Sequence, residues 1–344
     1  MRICLRGAWV GFRRSSRDGN TVDWGVVVFG GGGLVLVTGG AGFVGSVVVE
    51  RLVGWGVGVR VLVHRAGVPR VGVGVEVVRG DLVRPHSLRG VCEGVSAVLH
   101  LASRIGGSVG ELEAVNVEGT RALLGEAARA GVGRVVQLGT AAVYGDGVHR
   151  GVVEGELVEC PGSVTSVTRL AGERLVLAAG GTVVRPHLVF GRGDRWVVPG
   201  LVELLGSLPV WVEGGRARLS LVSVDVLAGV LAELAVGEGR VGGGVLHAGH
   251  PEPVSVRVLV ETVAGALGLG LPVGEVDLAG ALELVGGAQG GVLARRVRLV
   301  GVDRWYDSGR LWSRVGVSPG PGFVEAFAAC APWYRSVLSG GNPA

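Results

Sequence analysis

Residues 33–46 read Gly33-Leu34-Val35-Leu36-Val37-Thr38-Gly39-Gly40-Ala41-Gly42-Phe43-Val44-Gly45-Ser46. The valine/leucine run Gly33–Thr38 predicts a short buried strand, and the apolar spacing after it predicts a helix over Phe43–Gly54. Between the two stand glycines at 39, 42 and 45. Gly39 permits a tight turn, Gly42 lets a ligand approach the backbone, and Gly45 allows helix and strand to pack closely. The free N–H groups and positive dipole end of the helix then suit a pyrophosphate. A strand, this turn and a helix in that order predict a dinucleotide-binding site.

On either side of the turn the chain alternates. Strands are predicted at Val57–Val63, Val75–Val78, Ala97–Leu101, Val135–Leu138 and Thr182–Val184. Helices are predicted at Ser87–Glu93, Glu111–Ala130 and Thr165–Ala179. Each strand reads as too apolar to be half-exposed, which argues for an α/β, Rossmann-type doubly wound parallel sheet with helices on both faces. From about Arg192 the rhythm loosens, and prolines at 199, 209, 251, 253, 272, 319 and 321 punctuate shorter elements. The expected organisation is a dinucleotide-binding domain over 31–190 and a smaller mixed substrate lobe over 191–335, with some segments returning to the first. Residues 1–30 read as a disordered extension or a start codon assigned too early.

Composition narrows the chemistry. All 33 basic residues are arginine, so no mechanism can use a lysine amine. A formal net charge of +4 without a basic, aromatic-interleaved block argues against nucleic acid and suits an anionic cofactor. The four cysteines (Cys4, Cys92, Cys160, Cys330) lack metal spacing; they read as reduced thiols of a cytoplasmic protein, and no metal site is expected. Trp24–Val49 carries no charge and follows Arg13, Arg14 and Arg17, which scans like a membrane anchor. Its glycine density and the turn inside it favour buried strands, so no membrane partner is expected.

Cofactor choice rests on the end of the second strand, where a carboxylate binds a ribose 2′-hydroxyl and a basic residue a 2′-phosphate. That strand ends Val63-His64-Arg65, which points to NADP, with NAD possible. Asp81-Leu82, after the third strand, stands where it can meet the adenine.

These motifs carry a resemblance. TGGAGFVGS at 38–46, GDL at 80–82, VLHLAS at 98–103, NVEGT at 116–120, TAAVYG at 140–145, RPHLVFGRGD at 185–194 and SVDVLAG at 223–229 occur in order. Together they resemble the extended short-chain dehydrogenase/reductase family of nucleotide-sugar epimerases, dehydratases and ketoreductases. The resemblance implies cofactor contacts from Gly39, Gly42, Phe43, Val44, Gly45, His64, Arg65, Asp81, Leu82, Leu101, Ala102, Ser103, Asn116 and Arg169. It implies that Thr140 stands for the catalytic hydroxyl and that Asn116 supports the active-site water or helix. Arg216 and Arg218 would hold a nucleotide-sugar diphosphate. By position Arg185, His187, Arg195 and Trp196 can line the substrate, with a core histidine at 187 and a packing tryptophan at 196 as the alternatives. The helices at 111–130 and 165–179 would form a homodimer interface.

Two positions depart from the family. Its tyrosine, four residues before a lysine, is here Thr165 before Arg169, followed by Leu170-Ala171-Gly172-Glu173. Threonine is a weak acid, and general acid–base catalysis is worth about 10²–10⁴-fold. Tyr144 is the alternative proton donor, against a plain packing role in its turn. An epimerase or 4,6-dehydratase must first oxidise a hydroxyl, which needs a strong base; reducing a ready-made ketone asks less. The stretch 163–200 resembles the ketoreductases of antibiotic deoxysugar pathways, which implies NAD(P)H-dependent reduction of a dTDP-4-keto-6-deoxyhexose. An epimerase or dehydratase with bound NAD, and a non-catalytic protein that lost the dyad, are the alternatives.

Overall fold

The computed structural model describes residues 3–5, 8–15, 23–28, 33–64, 74–237, 242–287 and 291–338, the first three segments as backbone only. A seven-stranded sheet is built from β1 (Leu34–Thr38), β2 (Val59–Val63), β3 (Val75–Arg79), β4 (Val95–His100), β5 (Arg134–Leu138), β6 (Thr182–Pro186) and β7 (Gly244–Ala248). Their spatial order is 3-2-1-4-5-6-7, with β1–β2, β2–β3, β1–β4 and β4–β5 paired in parallel. This is the doubly wound order expected, reversing direction beside β1. Central β1 is buried along nearly its whole length, as its unbroken apolar run requires. Edge strand β3 is half-exposed, because only one neighbour covers it.

The chain forms two compact units. One holds the residues up to Leu138 with Ala171–Val183 and Ala228–Gly244; the other holds Gly139–Leu170, Val184–Leu227 and Val245 onward. The chain crosses between the two units at Leu138, Leu170, Val183, Leu227 and Gly244. Leu36, Leu88, Val98 and Leu123 centre the first unit's core. Leu219, Val263, Phe327 and Tyr334 centre the largest apolar cluster of the second, and all four are almost completely buried.

Two expectations change. Residues 1–30 do not read as disorder along the backbone: Ile3–Leu5, Ala8–Ser15 and Asp23–Val28 pair as an antiparallel sheet of their own. Their valines, Phe12, Trp9 and Trp24 are strong strand formers, which the arginine-based reading underweighted. The single long helix predicted over 111–130 is interrupted. Val109–Glu113 is α-helical, Ala114–Gly119 is π-helical, and Thr120–Arg129 resumes the α-helix. Among the described residues no helix is long and apolar enough to cross a membrane, and no group of metal-ligating side chains is found.

Candidate active site

In the first unit the glycine turn has the shape its sequence requires. Gly39 adopts φ +70°, and a Cβ there would stand 2.6 Å from the backbone nitrogen of Ala102. A Cβ at Gly45 would collide with the carbonyl oxygen of Gly39. Gly42 N–H donates to that same carbonyl at 2.9 Å, closing the turn. The helix Phe43–Gly54 begins without a side-chain cap and without an acidic residue in its first turn. Its leading N–H groups, those of Phe43 and Val44 included, are thus suited to an anion. A cleft of about 340 Å³ opens over this turn, lined among others by Gly39, Gly42, His64, Asp81, Leu82, Leu101, Ala102 and Ser103. The residues fit a dinucleotide: the backbone is bare where phosphates would lie, and no side chain fills the cradle.

At the adenosine end, His64 Nε2 lies 2.9 Å from Asp81 Oδ2, with Arg84 Nε 3.7 Å from the same oxygen. Asp81 Oδ1 accepts from Val83 N–H at 3.0 Å. Arg65 lies outside the described residues. Asn116 does not line the cleft. Its Oδ1 accepts from Arg104 N–H at 2.8 Å and its Nδ2 donates to Arg104 C=O at 3.1 Å, so it fixes the loop that follows the cleft wall. The π-turn, invisible to a periodicity search, is what carries Asn116. Gly172 packs here too, since a Cβ on it would strike the Asn116 carbonyl.

In the second unit Thr140 follows directly on β5 and caps the short turn Ala141–Tyr144, its Oγ1 accepting from Ala142 N–H at 3.2 Å. Arg169, on the helix Val164–Ala178, donates from Nη2 to the carbonyl of Gly139 at 2.9 Å. Thr165 stands one turn earlier on that helix, on the same face as Arg169. Arginine therefore braces the residue before Thr140, a task its planar, permanently charged fork performs well.

Tyr144 corrects the expectation of a presented hydroxyl. It is buried, receives a hydrogen bond from Arg185 Nη1 at 2.9 Å, and pairs with His247 Nε2 at 2.7 Å. Its ring stacks on Tyr306 at 5.6 Å between centroids. The packing role is the one its geometry has. Arg185, 2 % exposed, is committed to Tyr144 and Glu159 and offers no surface to a substrate. His187 sits edge-on to Tyr306 at 5.7 Å, and burial pushes its pKa down to about 3, so it is a neutral internal ring.

The remaining substrate candidates divide. Trp196 is 64 % exposed and Arg195 is exposed beside it. Their segment is pinned by Asp194, which sequence reading passed over. The Asp194 carboxylate accepts from the N–H groups of Trp196, Val197 and Val198 at 2.7–2.9 Å and from Tyr334 O–H at 2.9 Å. Arg216 is ion-paired with Glu275 at 2.8 Å. Arg218 is exposed and lines a separate groove of about 470 Å³ with Glu252, Ser255 and Glu325. His247, Asp194 and Tyr334 carried no sequence signal beyond being polar residues in apolar surroundings.

Fold and cradle together define a nicotinamide-dinucleotide-binding α/β protein. Residues 35–242 match the model of the NAD dependent epimerase/dehydratase family, and the chain belongs to that family, as an NAD(P)-dependent oxidoreductase. It is 32% identical to the 2-alkyl-3-oxoalkanoate reductase of Stenotrophomonas maltophilia over 68% of this chain and 76% of that one. It is 30% identical to the 4-hydroxy-2-methyl-3-oxo-4-farnesyl-3,4-dihydroquinoline-1-oxide ketoreductase of Stigmatella aurantiaca, over 70% and 75%. Among solved structures, MoeE5 in complex with UDP-glucuronic acid and NAD is similar, with TM-score 0.68 and 28% identity over 88% of this chain and 99% of that one.

Proposed function

We propose that the chain reduces a ketone with NADPH, and that the ketone is the 4-keto group of a dTDP-4-keto-6-deoxyhexose in antibiotic deoxysugar biosynthesis. The observation that carries the reaction type is an intact glycine cradle combined with a Thr165…Arg169 pair in place of tyrosine and lysine. The cofactor, when bound, supplies the hydride. Ketone reduction draws mainly on orientation and on stabilising charge at the carbonyl oxygen. Thr140, on a turn that Arg169 braces, is the proposed donor to that oxygen. Arginine stays protonated and passes no proton on, so the proton comes from Thr140 or from Thr165 through water. Thr140→Ala is expected to lower kcat roughly 10²-fold while dinucleotide affinity holds; stopped-flow reduction measures both.

NADPH is favoured because Asp81 faces His64, and the end of β2 carries no carboxylate for a ribose 2′-hydroxyl. His64→Ala is expected to lower the NADPH/NADH ratio of kcat/KM about tenfold, the value of roughly one charge-assisted hydrogen bond. An unchanged ratio would assign the selectivity elsewhere. A homodimer and a cytoplasmic location are also proposed; sedimentation equilibrium tests the first.

A second reading, an apolar ketone substrate, is favoured by one observation. Arg216, one of the two arginines expected to hold a diphosphate, is already held by Glu275, and Arg185, expected to line the substrate, by Glu159. The two curated relatives are reductases whose names specify alkyl and farnesyl ketones. NADPH oxidation measured with dTDP-4-keto-6-deoxyglucose and with a 2-alkyl-3-oxoalkanoate separates the readings. Turnover of only one substrate selects between them; oxidation with neither sinks ketone reduction, and tightly retained NAD without net consumption marks an epimerase or dehydratase.

A further inference from the structure

Four buried polar groups of the first unit have no part in the reading above: the side chains of Thr38, His100 and Thr120, and the carbonyl of Asn116. Thr38 and His100 end the neighbouring strands β1 and β4 and stand directly opposite each other. Thr120 opens the α-helix that follows the π-turn. The three side chains belong to residues 1 %, 2 % and 0 % exposed, so water does not satisfy them.

The acceptor at the Asn116 end of the chain fixes the directions of the bonds at Thr120. Ala102 N–H can only donate, and it reaches Thr38 Oγ1 at 3.2 Å. Thr38 keeps its own proton for His100 Nδ1, 2.7 Å away. At the far end the carbonyl of Asn116 can only accept, and Thr120 Oγ1 donates to it at 2.8 Å. Thr120 has then spent its one proton, so at 2.9 Å it accepts from His100 Nε2. The Thr120 end demands a proton on Nε2, and the Thr38 hydroxyl, by giving its own proton to Nδ1, completes a neutral imidazole. Asn116 in turn grips Arg104 on both sides of its backbone, two residues beyond Ala102. A closed ring of hydrogen bonds thus runs from the residue preceding Gly39, through His100 and the π-turn, and back to the cleft wall at Leu101–Ser103.

We propose that His100 is a positioning residue of the dinucleotide cradle, tying the glycine turn to the π-turn as the Nε2-protonated imidazole. This rests on the dinucleotide-binding reading. The alternative arrangement, with the proton on Nδ1 alone, would set two acceptors against each other at Thr120.

The test has two parts. Histidine-selective ¹⁵N labelling of the wild-type protein, with seven histidines in the chain, reports the His100 tautomer without any cofactor. A neutral ring protonated on Nε2 is expected, and an Nδ1–H tautomer or an imidazolium at pH 7 overturns the proposal. Calorimetry then compares NADPH affinity. Thr120→Val is expected to weaken it by about tenfold, the effect of one buried donor left unpaired. Thr120→Ser, which restores the hydroxyl, is expected to return it to within about twofold. Wild-type affinity in Thr120→Val overturns the proposal, as does Thr120→Ser behaving like Thr120→Val. A variant that fails to fold leaves the tautomer measurement to decide. A wild-type protein that binds no dinucleotide defeats the proposed function instead, and the tautomer still judges the ring.

Discussion

Gly39→Ala is expected to weaken dinucleotide binding more than ~10²-fold, about 2.7 kcal/mol, and to cost about 1–3 kcal/mol of stability. Two effects add. The residue holds φ +70°, where an L side chain is strained, and its Cβ would stand 2.6 Å and 2.8 Å from the nitrogen and Cα of Ala102. Those are backbone atoms and cannot swing aside as a side-chain tip would. Moving Ala102 deforms the cleft wall and strains its hydrogen bond to Thr38. Gly110→Ala is the control, because a Cβ there meets nothing within 4 Å. Titration calorimetry and thermal melts of both variants measure the effect; affinity within threefold of wild type in Gly39→Ala would refute the cradle.

Stability is expected to fall steeply as pH drops below about 6.5, and His187 sets the scale. Burial lowers its pKa from the ordinary 6.5 to about 3, while the unfolded chain keeps the ordinary value. Between those two pH values the unfolded state holds one more proton than the folded state. Acid therefore favours unfolding by about 1.4 kcal/mol per pH unit, on the order of 5 kcal/mol across the window. Above 6.5 both states are neutral and the group is silent. His149 and His247 are lowered too, chiefly by burial, and act in the same direction. Urea unfolding at intervals from pH 7.5 to about 4.5 reads the slope. His187→Asn should flatten it by one proton; an unchanged slope in that variant would place the acid sensitivity in other groups.

The parts of this molecule that sequence made legible are those where local geometry alone dictates residue type. The glycines at 39, 42 and 45 are such a case, because turn and close packing admit nothing larger. The strands β1, β2 and β4 are another, since burial on both faces demands an apolar run. Whether Arg185, Tyr144 and His187 pack or face a ligand was not legible, because their surroundings come from distant segments. Glu159, His247 and Tyr306 surround them from up to 162 positions away along the chain, counting Tyr144 to Tyr306. The π-turn at Ala114–Gly119 escaped because one residue's change of period hides inside an otherwise regular apolar stripe. Asn116, expected to touch the cofactor, instead bonds the Arg104 backbone from within that hidden turn.

The hydrogen bond from Tyr334 to Asp194 has a bearing on the order in which the protein takes shape during synthesis. Strands β1 to β5 and their connections are contiguous up to Leu138, so the dinucleotide half of the sheet can assemble while later residues are still being added. The Asp194 segment is different. Its cap over Val197–Ser207 is completed by a tyrosine on the last helix, Phe323–Leu338, 140 positions onward. The part that carries Arg195 and Trp196 therefore reaches its final form only after Tyr334 has been added, long after the segment that holds the glycine turn.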